Sequence, residues 1–198
     1  MKARTAQILL MLAGFLAGVA SIVLIIVLVS GRDPVPSAGA SAIGGPFSLI
    51  DQDGRPVTDK DLRGRPFLVF FGFTHCPDVC PTALFEISEV LGKLGPDAQK
   101  VAALFVTIDP ERDTPAAMKE YLASFNPHLV GLTGDPAAIA AVAKEYRVYL
   151  KKVPLENGDY TMDHTALVYL MDKEGRFVTP FNLKRTPEDA AAALRRYL

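Results

Sequence analysis

The sequence predicts an α/β domain carried behind a hydrophobic N-terminal span. Continuous apolar runs, at residues 67–73 and 101–108, alternate with segments of helical apolar spacing. That is the pattern of strands buried on both faces by flanking helices. Upstream, residues 8–29 form an uncharged apolar run. As one helix it would cross a hydrocarbon core of about 30 Å.

A secretory signal would carry a shorter apolar region, about 7–15 residues, so the run is expected to be a single transmembrane helix. Lys2 and Arg4 precede it while only Arg32 follows closely, which predicts a cytoplasmic N-terminus and an exported C-terminal domain. No Arg- and Ser-rich presequence stands before the run, so the expected location is a bacterial inner membrane with the domain in the periplasm. Residues 31–45 (GRDPVPSAGASAIGG) have no apolar period and read as a flexible linker. The predicted organisation is an anchor over 1–30, a linker over 31–45 and a domain over 46–198.

Within the domain, residues 47–50 and Val57 flank Asp51-Gln52-Asp53-Gly54, a hairpin signal. Residues 67–73 follow as a buried strand. Leu84, Ile87, Val90, Leu91 and Leu94 share one side of a helix over 83–94. Residues 101–108 form the next buried strand. Thr114-Pro115, Asp135-Pro136 and Thr186-Pro187 each set a capping side chain before a proline at the first helical position, so three more helices open there. Residues 166–171 and 177–181 read as strands joined by Asp172-Lys173-Glu174-Gly175. The order βαβαβαββα predicts a sheet that is parallel in its first half, with an antiparallel hairpin near the end. A two-cysteine motif between a buried strand and the following helix suggests a thioredoxin-like fold.

That motif is FFGFTHCPDVCP, residues 70–81, and it holds both cysteines of the chain. The net charge of −1 leaves no basic face for nucleic acid. Two cysteines are also too few for a disulfide-stapled miniprotein. The proline after each cysteine disfavours the α region at Cys76 and Cys80, so a constrained turn is expected, with the helix opening at or near Pro81. The positive end of that helix favours thiolate, which serves both disulfide exchange and soft-metal ligation.

The C-x-x-x-C spacing is wider than the C-x-x-C of general dithiol oxidoreductases. A closed zinc site wants four ligands, whereas copper accepts a low-coordinate set of thiolates and imidazole. Of the three histidines, His75 points away from its neighbour Cys76, and His128 reads as a surface residue. His164 stands just before the strand at 166–171, where thioredoxin-like folds bring a loop beside the redox turn. A peroxiredoxin-type peroxidase is disfavoured, because Thr74 stands two rather than three residues before Cys76. The residues alone leave a redox pair and a copper site open, with His164 the candidate third ligand.

Three ordered motifs go further. FGFTHCPDVCP, VTIDPERDTP (residues 106–115) and MDHTALVYLMDKEG (residues 162–175) together resemble the Sco/SenC family of membrane-anchored copper chaperones. The resemblance implies one copper ion, Cu(I) or Cu(II), held by Cys76, Cys80 and His164, with two thiolates suiting Cu(I) and the imidazole helping to retain Cu(II). It implies delivery to the dicopper centre in subunit two of cytochrome c oxidase, after loading by an upstream copper donor. The alternative within the same family is a thiol–disulfide reductase that keeps the cysteines of that centre reduced through Cys76 and Cys80. Asp78 and Asp163 are candidate groups behind the ligands, and equally solvated loop carboxylates. Asp109, Arg112 and Asp113 also match family positions, and a structural role is expected for them, with Asp113 and Thr114 capping the helix at Pro115.

Overall fold

The computed structural model describes residues 11, 14, 17–22, 43–156 and 158–198. It divides into two units, Met1–Ala40 and Ser41–Leu198. Most of the predicted anchor and residues 31–42 of the linker lie outside the described residues. Among the described residues, no helix is long and apolar enough to cross a membrane.

The second unit is built on a mixed sheet. An opening hairpin pairs β1 (Ser48–Asp51) with β2 (Pro56–Thr58). Its turn closes on one carboxylate: Asp51 Oδ1 accepts the N–H groups of Asp53 and Arg55, both at 2.8 Å, and Gly54 takes φ 80°. The 3-10 turn Asp59–Leu62 leads to β3 (Phe67–Gly72), in which all six residues are buried. Helix α1 (Val79–Leu94) returns the chain to β4 (Ala102–Thr107), which runs parallel to β3. Helix α2 (Pro115–Leu122) then leads to β5 (Leu129–Thr133), parallel to β4 and antiparallel to β1. Helix α3 (Pro136–Glu145) follows.

Strands β6 (Leu150–Pro154) and β7 (Tyr160–His164) form a separate hairpin. Strand β8 (Val168–Met171) pairs antiparallel with β3, β9 (Phe177–Pro180) pairs with β8, and α4 (Pro187–Arg195) ends the fold. The main sheet reads β2-β1-β5-β4-β3-β8-β9, and β6-β7 stands outside it. The β8–β9 turn repeats the device of the first hairpin, with Asp172 Oδ1 accepting from Glu174 and Arg176 and Gly175 at φ 76°.

The expected helix starts appear as written. Thr114, Asp135 and Thr186 accept the N–H groups of Ala117, Ala138 and Asp189, each ahead of a proline that has no N–H to lose in the first turn. Thr114, and not Asp113, caps α2. Helix α1 departs from expectation: it opens at Val79, two residues before Pro81. A proline in the first turn breaks no intrahelical hydrogen bond, so the helix can begin ahead of it. Leu84, Ile87, Val90, Leu91 and Leu94 all face the core, as their spacing predicts. Lys93 pairs with Glu188 at 2.6 Å and Arg195 donates to the Lys93 carbonyl at 2.8 Å, joining α1 to α4.

Candidate metal centre

Strand β3 ends in Gly72 against the wall of the site. A Cβ at Gly72 would stand 2.8 Å from Cys80 Sγ and 2.8 Å from Phe105 Cε2, so only glycine lets the sulfur seat there. Beyond Phe73 the chain turns, with the Cys76 N–H donating to the Phe73 carbonyl at 3.2 Å. Cys76 is half-buried, and Cys80, in the first turn of α1, is fully buried. Both thiols are free. The Cys80 N–H donates to Cys76 Sγ at 3.4 Å, so the positive end of α1 is aimed at that sulfur. The expectation that the helix end favours thiolate at both positions fails for Cys80. Burial pushes its thiol far above the ordinary range, a larger effect than the favourable backbone contact with Phe73.

His164 is the last residue of β7 rather than a loop residue. Its Nδ1 lies 3.0 Å from the Thr165 carbonyl, which places the ring proton there and leaves the Nε2 lone pair free. Nε2 faces Cys80 Sγ at 4.0 Å. The two atoms are near enough that Cys80 and His164 would both reach a single first-row ion, a thiolate and an imidazole donor of the kind copper accepts. Among the described residues no three Cys, His, Asp or Glu side chains already stand as a closed ligand set. Cys76, the other soft donor of the motif, has its sulfur at the end of the same helix. Rings of Phe73 and Phe70 meet the part-buried imidazole edge-on, with centroids at 6.0 and 6.5 Å.

The remaining predicted groups stay outside. Asp78 is exposed just before α1 and makes no side-chain cap. Asp163 is exposed and alternates away from His164 along β7, opposite Lys151. His75 faces Thr74 Oγ1 at 3.0 Å and Asp113 rather than the sulfurs, and His128 is exposed.

Sequence reasoning missed how the site is supported. Asp113 is fully buried, and its carboxylate accepts the Thr74 hydroxyl at 2.6 Å, the Thr74 N–H at 3.1 Å and the Thr107 hydroxyl at 2.6 Å. It ties the cysteine turn to the end of β4. The hairpin carrying His164 was also missed. The Asn157-Gly158 dipeptide and the alternation at residues 160–164 were the available signals. Beside the turn, a cavity of about 580 Å³ opens between α1 and the segment after β9, with Val79 and Leu167 exposed at its rim.

Comparison with known proteins bears on this geometry. The SCO1/SenC family model matches residues 35–198. The chain is 48% identical over 144 residues to the mitochondrial SCO1 homolog 1 of Arabidopsis thaliana, covering 72% of this chain and 43% of that protein. It is 43% identical over 165 residues to sco1 of Schizosaccharomyces pombe, covering 80% of this chain and 62% of that one. Thus it spans about half the length of these relatives. Among solved structures, Bradyrhizobium japonicum ScoI with copper bound is 72% identical, with a TM-score of 0.78, over 79% of this chain and 99% of that chain. Yeast Sco1 with copper bound is 37% identical, with a TM-score of 0.69, over 79% and 90%.

These relatives correct the expected location. The bacterial inner membrane was inferred from a missing presequence, yet the Arabidopsis relative and the mouse SCO1 and SCO2 homologues are mitochondrial proteins. These relatives extend well beyond the matched region. The fold itself is the mixed α/β, thioredoxin-like arrangement of the Sco structures. With a family match running from residue 35 to the C-terminal residue, over the motif turn and the histidine hairpin alike, the chain belongs to the SCO1/SenC family.

Proposed function

We propose that the chain is a copper chaperone that binds one copper ion through Cys76, Cys80 and His164 and supports assembly of the dicopper centre in subunit two of cytochrome c oxidase. The observation that carries this reading is the 4.0 Å approach of His164 Nε2 to Cys80 Sγ, with the imidazole proton held on the far nitrogen. Copper bound in the Bradyrhizobium, Arabidopsis and yeast structures supports the choice of metal. A structural relative, BsSco, 26% identical, is described as a member of the Sco family of cytochrome c oxidase assembly proteins, which supports the process served. An upstream donor that loads the site belongs to the same reading. Attachment to a membrane rests on the hydropathy of residues 8–29 alone, and extraction of the chain at alkaline pH tests it.

Anaerobic Cu(I) titration of the full chain should give one tightly held ion. Cys76→Ser and Cys80→Ser should each abolish tight binding, and His164→Ala should weaken it by at least about tenfold. Undiminished retention in His164→Ala would sink the three-ligand set.

The reductase alternative keeps one specific support. BsSco is described as having a disulfide switch, and both thiols here are free. Cys76, the more exposed sulfur with the helix end behind it, would be the attacking thiol. Reductase activity that survives His164→Ala would favour this role.

A further inference from the structure

The β6–β7 hairpin carries His164 yet shares no ladder with the main sheet, so side chains set its place over the cysteine turn. Arg112, between β4 and α2, makes the central joint. Its Nε donates to Asp109 Oδ2 at 2.5 Å. Its Nη1 donates to the Tyr160 carbonyl at 3.1 Å and to Asp159 Oδ1 at 3.3 Å. The guanidinium lies 3.7 Å from the centroid of the Tyr160 ring and 5.9 Å from that of Phe73. Tyr160 closes the circuit by donating its hydroxyl to Asp109 Oδ1 at 2.9 Å.

This is a committed charge. Asp109 is 3% exposed, and Arg112 Nη2 is buried with no hydrogen-bond partner among the described residues, on a guanidinium that lies over the Tyr160 ring. Lys152 also meets the Tyr160 ring, at 3.8 Å, but it extends from the hairpin itself and its outer partner Glu111 is exposed. It adds little that water would not screen. Tyr160 and His164 alternate onto the same face of β7. Phe73, which stacks on the Arg112 side, also meets the His164 ring.

We propose that Arg112 is a positioning residue for the metal: by clamping Tyr160 to Asp109 and Phe73, it holds the hairpin where His164 Nε2 faces Cys80 Sγ. This rests on the reading that His164 ligates copper. Arg112 itself hydrogen-bonds none of the three ligands.

The test uses the full chain, with Cu(I) affinity measured by competition against a chromophoric chelator and imidazole ligation read from Cu(II) electron paramagnetic resonance. Arg112→Gln should lower affinity by about 10–100-fold, as for other groups that orient a metal ligand, and weaken the nitrogen splitting in the Cu(II) spectrum. In a His164→Ala background the same substitution should change affinity by less than about twofold, since the two act through one contact. Arg112→Lys keeps the charge but loses the planar fork. It should fall between wild type and Arg112→Gln, and it decides the matter if the glutamine variant fails to fold. Equal losses with and without His164 would overturn the proposal. So would wild-type affinity and splitting in both Arg112 variants. A wild-type chain that binds no copper, or a His164→Ala chain that keeps it undiminished, would instead bring down the ligand reading beneath.

Discussion

Cys80 sits fully buried with its sulfur against Gly72 at the end of β3, and that burial pushes its thiol far above its ordinary range. On the proposed ligand set a metal would have to displace the proton that burial favours on Cys80, because the thiolate and not the thiol is the ligand. The sign follows directly. As pH falls through the neutral range, protons compete better for the sulfur and apparent copper affinity should fall. Competition titrations at a series of pH values check this, and a flat profile would mean that Cys80 does not lose a proton on binding. Cys76 differs in kind: it is part-exposed and receives a helix amide. Two cysteines four residues apart thus divide the work, one reachable and one sealed.

At the level of elements, the site depends on how β3 ends. Gly72→Ala should destabilise the fold by about 1–3 kcal/mol, because the added methyl must push aside either Cys80 or the buried Phe105 ring. Denaturant unfolding measures the loss, and copper affinity should drop with it if Cys80 is what moves. Much of this framework was legible. A strand buried on both faces announces itself as an unbroken apolar run, as at β3 and β4. A capping side chain before proline is a local device that needs no tertiary partner, as at Thr114, Asp135 and Thr186.

The β6–β7 hairpin was harder to read. Its residues are mostly part-exposed or exposed, Lys151 and Lys152 interrupt it, and it pairs only with itself. Cys76, Cys80 and His164 were picked out by residue type and motif. The clamp on Tyr160 was not, because Arg112 and Tyr160 lie 48 positions apart and only the folded chain brings them together. The start of α1 at Val79 was misread because proline's bias on the preceding residue yields to the first turn of a helix.

For the whole molecule, the core needs no metal. Phe67 through Phe71, the inner face of α1 and strands β4 and β8 are buried together without any contribution from a bound ion. Stripping copper with a chelator should therefore leave a folded chain with unchanged far-ultraviolet dichroism. Copper at about a hundredfold over its dissociation constant should raise the melting temperature by about 5–10 °C, which calorimetry measures. An apo chain without a cooperative transition would refute this.

The detached hairpin gives the metal a further meaning. Held between Cys80 and His164 as proposed, copper would close a loop spanning 84 positions and join an arm outside the main sheet to a helix packed on it. It would act as a removable cross-link. By reciprocity, whatever loosens the arm would then loosen the ion.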